Sequence, residues 1–144
     1  MNSKNLVFIS IALFFFSGCK QETIEISGAD ANGKVIFMTG KNSQGVVLQD
    51  LQKSEMSSMV HGCANCHGED GKGKFRGGGD KQTGSIAYKD LTNSALHSPA
   101  YTDSLIERFI DSETKSDGTH ANTGVVYVMG ATDKADLISY LKTL

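Results

Sequence analysis

The residues best suited to chemistry stand together in one stretch, Cys63-Ala64-Asn65-Cys66-His67. Two thiols at that spacing can add to the two vinyl groups of a haem. The adjoining imidazole then lies under the porphyrin with Nε2 toward the iron. Two other chemistries use cysteine pairs. A zinc site needs four ligands, and Cys63 and Cys66 would have to recruit His67 or His61 together with His97 or His120, a spacing that matches no common zinc pattern. A thioredoxin-like redox pair belongs between a strand and a well-formed helix, whereas here glycines follow at 68, 71, 73, 77, 78 and 79. Those glycines do not form a strand-to-helix phosphate loop, and their expected role is to let the backbone turn tightly against a bound group. The chain offers no nucleophile with a base and an orienting partner, and no paired carboxylates in a defined context, so the sequence predicts no enzyme in its own right.

The chain that must position this motif is short. Its 144 residues suffice for one small domain, and 39% hydrophobic residues with no Trp, one Pro and 16 Gly make a thin core for that length. A formal charge of −2 gives no general reason to bind nucleic acid. Positive charge is local: Lys72, Lys74, Arg76, Lys81 and Lys89 face only Asp80 between residues 71 and 89. That segment is either a solvated loop or a guide for an acidic partner.

The N-terminus reads as an export signal. Lys4 precedes an apolar run from Leu6 to Phe16, broken only by Ser10 and ending in Ser17-Gly18-Cys19. Crossing roughly 30 Å of hydrocarbon takes about 20 residues, so the run has the length of a signal-peptide core and not of a membrane span. Small residues directly before a cysteine resemble a bacterial lipobox, in which Cys19 is lipidated. The expected organisation is therefore a signal peptide over 1–18, a flexible tether over 19–32 and a domain over 33–144. The product would be exported and membrane-anchored, facing the periplasm or the cell exterior. With Cys19 lipidated, Cys63 and Cys66 can form no disulfide framework beyond one local bridge.

Within the domain, Gly33 to Thr39 carries a short apolar packet that periodicity alone assigns to neither helix nor strand. Val46 to Leu51 is a second apolar piece, and Ser54 to Val60 could form a helical turn carrying Met56, Met59 and Val60. Cys63 to Gly79 holds too many glycines for regular structure. Thr102 can cap a helix in which Asp103 suits the first turn and Leu105, Ile106, Phe109 and Ile110 share a face. A last helix is expected after Thr132, with Asp133 at its positive end and Leu137, Ile138, Tyr140, Leu141 and Leu144 as its apolar stripe.

Three stretches together resemble class I cytochromes c, in particular short bacterial lipoprotein members, over Gly33 to Leu144: Cys63 to Gly73, Tyr101-Thr102-Asp103, and Thr132 to Leu144. The resemblance implies an all-α, cytochrome c-like domain wrapped around one covalent haem c. In such a domain Gly33 and Phe37 of a first helix face Tyr140 and Leu141 of the last. It also implies Cys63 and Cys66 as attachment points and His67 as an iron ligand. Two departures stand out. The family usually has a Pro whose carbonyl accepts the ligand's Nδ1 hydrogen bond, and Tyr88-Lys89-Asp90-Leu91-Thr92 contains none, so another carbonyl must take its place. The family also carries a distal Met several residues before the last helix, where this chain has Val125 and Val126. Met129 is the nearest thioether and is the expected second ligand. The alternatives are His120, Met56 or Met59, or an open site.

The implied function is that of a monohaem electron carrier between redox protein partners. An electron-transfer subunit of a larger membrane oxidase or reductase fits the tether equally, and an open sixth site would instead make a small-ligand-binding or sensing haem protein.

Overall fold

The structure, a computed structural model, describes residues 28–55, 59–74 and 83–144. Among them the chain forms an all-α domain of five helices: α1 (Ala29–Thr39), α2 (Ala64–His67), α3 (Tyr88–Leu91), α4 (Asp103–Ser112) and α5 (Ala131–Leu141). Strand pairing among these residues is confined to isolated bridges. The described helices include none long and apolar enough to cross a membrane.

The domain is organised by the crossing of α1 and α5. Gly33 makes the crossing close: a Cβ there would lie 2.0 Å from the Asp136 carbonyl oxygen. One turn on, Phe37 is fully buried and its ring sits 5.3 Å from that of Tyr140. The apolar stripe of α5 is buried at Leu137, Ile138 and Leu141, as its spacing predicts. Polar ties flank the crossing. Asn32 Nδ2 donates to Asp133 Oδ1 at 3.0 Å and to Asp136 Oδ2 at 2.8 Å, and the Ser139 hydroxyl donates to Asp30.

Helix α1 begins ahead of residue 33: residues 29–32 are its first turn, held to α5 through Asn32. The start of α5 also shifts. Gly130 occupies the N-cap position and Thr132 lies inside the helix, making no capping bond. The first-turn carboxylate of Asp133 still suits the positive helix end. In α4 the expected cap is present, with Thr102 Oγ1 accepting from the Leu105 N–H at 3.3 Å. The ends of α3, α4 and α5 are tied by one cluster: Asp103 accepts from the Tyr88 hydroxyl at 2.7 Å and from Lys142 Nζ at 2.8 Å. Those bonds hold the Asp103 carboxyl below its ordinary range.

Between α1 and α2 the chain runs without helix and pairs with the segment before α5. Gln49 bridges Tyr127 in antiparallel fashion, the Asp50 N–H donates to the Val126 carbonyl at 2.8 Å, and the Val128 N–H donates to the Leu48 carbonyl at 2.7 Å. Extended pairing makes side chains alternate: Val125 and Met129 are buried, while Val128 is exposed. Of the turn expected over 54–60, residues 56–58 lie outside the described residues, and Met59 is exposed.

Candidate functional site

The sequence Cys63 to His67 folds as a single helical turn, contrary to the expectation of irregular structure from Cys63 onward. The His67 N–H donates to the Cys63 carbonyl at 2.9 Å, so the three chemical residues sit on one turn. Gly68 leaves the turn with φ 79°, in the region that favours glycine. The following loop doubles back on residues 83–86. Thr83 Oγ1 donates to the Cys66 carbonyl, the Gly73 N–H to the His67 carbonyl, and the Ile86 N–H to the Gly71 carbonyl. Gly73 permits this contact, because a Cβ there would meet the Thr83 carbonyl oxygen at 1.9 Å.

This doubling back sets the chemistry of His67. Its Nδ1 lies 2.7 Å from the Gly84 carbonyl oxygen. A carbonyl only accepts, so Nδ1 carries a proton; in the neutral ring the lone pair is then on Nε2, the tautomer that a metal-ligating histidine needs. The carbonyl that accepts from His67 is thus that of Gly84, ahead of the Tyr88 to Thr92 stretch where the sequence resemblance seeks one.

Cys63, Cys66 and His67 line one cavity of about 480 Å³. Its other walls are apolar side chains of α4 (Ile106, Phe109, Ile110) and α5 (Leu137, Leu141), with Ile86 and Leu91. Thr83, Ser85, His97, Lys115, Asn122 and Thr123 are among its polar lining residues, and no described lining residue is an Asp or Glu. The volume falls within the roughly 300–1,000 Å³ usual for small-molecule and cofactor sites. Both thiols are free. Burial pushes the Cys63 thiol up to about 11. Burial also raises the Tyr127 phenol, whose hydroxyl donates to the His61 carbonyl at 2.8 Å.

The described lining residues do not include the two leading candidates for a second iron ligand. Met129 belongs to the buried core cluster. His120 leaves 55% of its side chain exposed and stands near Glu113. Of Val125 and Val126, near which the resembled family would carry its Met, Val125 lines the cavity. Cys19, Met56, Arg76 and Lys81 lie outside the described residues. Among the wall residues the sequence does not assign to this site, His61 reads there only as a possible zinc partner, and Tyr127 carries no signal, since its place depends on pairing with Gln49. Among the described residues there is no group of three or more His, Cys, Asp or Glu arranged to hold a metal ion by themselves. Comparisons with protein-family models, with curated proteins and with solved structures found no match to this chain.

Proposed function

We propose that this chain is a monohaem c-type cytochrome that carries single electrons between redox protein partners on the outer side of the cytoplasmic membrane. One observation carries the reading: two free thiols and a histidine of fixed tautomer border a single apolar cavity of cofactor size. The residues fit a covalently bound haem. Cys63 and Cys66 would hold it by thioether bonds and His67 would ligate its iron. The side chains of α4 and α5 would exclude water from its faces. Lys115 and Asn122, which line the cavity, would offer a cation and an amide to its carboxylates. When bound, the haem supplies a one-electron couple whose potential follows from axial ligation, burial and hydrogen bonding. The Gly84 carbonyl contributes by raising the basicity of the His67 ring. The lipid anchor at Cys19 and the membrane-complex alternative belong to the same proposal, since an anchored carrier meets its partners at a membrane.

Export of the whole chain in a bacterium able to attach haem tests the reading. Haem staining after denaturing electrophoresis should label the wild-type chain and leave the Cys63→Ala/Cys66→Ala variant unlabelled. An unlabelled wild-type chain, or a variant labelled as strongly, would end the c-type assignment.

A second reading has its own support. Neither Met129 nor His120 lines the cavity, and Val125 has no donor atom. If the iron has no second protein ligand, the protein binds a small ligand there. Rapid carbon monoxide binding by the ferrous wild-type protein would favour that reading over the carrier.

A further inference from the structure

We propose that the hairpin over residues 113–123 is a gate on the cavity, opening ahead of the rest of the domain to admit a small neutral ligand to the iron, an inference that rests on the haem reading above. The hairpin follows α4, and its Thr114 bridges His120 in antiparallel fashion. Lys115, Ala121, Asn122 and Thr123 put it on the cavity wall. Between Glu113 and Gly124 the chain has no apolar side chain larger than that of Ala121.

The walls contributed by the rest of the domain are fastened differently. Leu91, Ile106 and Leu137 belong to the buried core, and Ile86, Phe109 and Tyr127 pack against it. No residue from 113 to 124 is in either group. Segments with few buried apolar contacts open at lower free energy than the core they flank. Of the cavity's walls, the hairpin is therefore the one that can part while the helices stay packed. An apolar cavity behind it favours a neutral ligand over an ion.

Hydrogen bonds hold the gate shut, and two charged side chains make the decisive ones. From α4, Arg108 Nη2 donates to the Lys115 carbonyl at 2.7 Å and to the Ser116 carbonyl at 3.4 Å. At the base, Glu113 Oε1 accepts from the Thr123 N–H at 2.7 Å and from the Thr123 hydroxyl. Each latch holds the lining residues of one arm. The tip keeps its own shape, with the Lys115 N–H donating to the Thr119 carbonyl at 2.8 Å and Asp117 Oδ1 accepting from the Thr119 N–H at 2.8 Å. Glu113 and Asn122, where the arms join the domain, have φ of 52° and 50°, a region that residues other than glycine seldom occupy. Such backbone persists only while its surroundings enforce it, so release of the latches also relieves the joints.

Hydrogen exchange of the purified haem-loaded chain, followed by mass spectrometry, and the rate at which imidazole binds its ferric iron decide the matter. Amides of 115–123 should exchange before those of α1 and α5. Arg108→Ala and Glu113→Ala should each speed both that exchange and imidazole binding by about tenfold or more, the scale on which loss of a charge-assisted hydrogen bond acts. Exchange in α1 should not change, which separates a gate from general loosening, and either variant suffices if the other fails to fold. Glu113→Gln, whose amide oxygen can still accept from Thr123, should stay near wild type. Imidazole rates unmoved by the alanine substitutions, hairpin amides that exchange only with those of α1, or a wild type that takes up no imidazole overturns the gate while the haem reading stands. A wild-type chain with no haem stain overturns both.

Discussion

Where α1 crosses α5 the chain fills its own space, and where α4 and α5 look toward His67 it does not. At the crossing, Gly33 brings helix backbone against helix backbone, Phe37 is fully enclosed, and Asn32 satisfies two carboxylates. Beside His67, the same helix α5 turns Leu137 and Leu141 toward a space of about 480 Å³ bounded by loops. Those loops are held by hydrogen bonds, many of them between backbone groups, such as Ile86 N–H to the Gly71 carbonyl. One side of the domain is thus specified by shape and the other by backbone pairing around a volume. The contrast can be broken or sharpened by substitution.

The largest effect belongs to the crossing. Gly33→Ala places a methyl within 2.0 Å of the Asp136 carbonyl oxygen and 2.8 Å of the Tyr140 Cβ, and neither is the far end of a flexible side chain. The helices must part along their length. A loss upward of about 5 kcal/mol is expected, enough to unfold a domain of ordinary stability. A circular dichroism melt of the haem-loaded variant should show no cooperative transition near that of the wild type. Next comes Phe37→Ala, which leaves the backbone contact intact but opens a cavity opposite Tyr140. It should cost about 3–5 kcal/mol in denaturant unfolding. A loss below about 1 kcal/mol would mean that the crossing repacks freely, and the contrast between the two sides would weaken.

How far these regions can be read from sequence follows from how local their causes are. Helix α4 is visible because Thr102, Asp103 and the apolar spacing of Ile106 and Phe109 all lie within the element. Cys63, Cys66 and His67 are visible because one turn holds all three. The close approach at Gly33 comes from family resemblance, and its short apolar packet alone decides nothing. The place of Met129 is not legible from a sequence interval, since the segment before it is laid down by pairing of residues 126–128 with 48–50. Alternation puts Val125 and Met129 on the same buried side of the segment, and of the two only Val125 lines the cavity. The Gly84 carbonyl is invisible for a different reason: every residue has a carbonyl, and only the path of the loop selects this one. The start of α1 at Ala29 was missed because its polar first turn is stabilised by Asp133 and Asp136, over a hundred residues away.

The cavity side has its own signature in pH. Burial holds the Cys63 thiol at about 11 against an ordinary value of 9.0. The folded chain therefore favours the neutral thiol, and the unfolded chain loses its proton first. The stability tied to this group is complete below pH 9 and drains away as pH rises toward 11, by about 2–3 kcal/mol for a shift of that size. Denaturant unfolding of haem-free wild type across that range should show the decline. Cys63→Ser should remove this part of it, and a chain with its thioether formed should lack it, having no thiol proton to lose. Equal slopes in all three would place the alkaline loss elsewhere, with the buried phenol of Tyr127 as the next group to replace.

The smallest effect comes from the same chemical change as the largest, made on the other side. Gly84 supplies the carbonyl that orients His67, yet a Cβ built on it meets nothing within 4 Å, and its backbone does not occupy the left-handed region. Gly84→Ala keeps the carbonyl, leaves the loop's path open and narrows the conformations of the unfolded chain, which favours folding by about 0.4–1 kcal/mol at a compatible site. The haem spectrum should be unchanged, because the contact to His67 is made by backbone alone. Denaturant midpoints of Gly33→Ala and Gly84→Ala, measured side by side, should move in opposite directions. A Gly84→Ala variant that loses stability or alters the iron spectrum would show that the loop beside the cavity is as tightly packed as the helix crossing, and that His67 is oriented by side-chain packing as well as by a hydrogen bond.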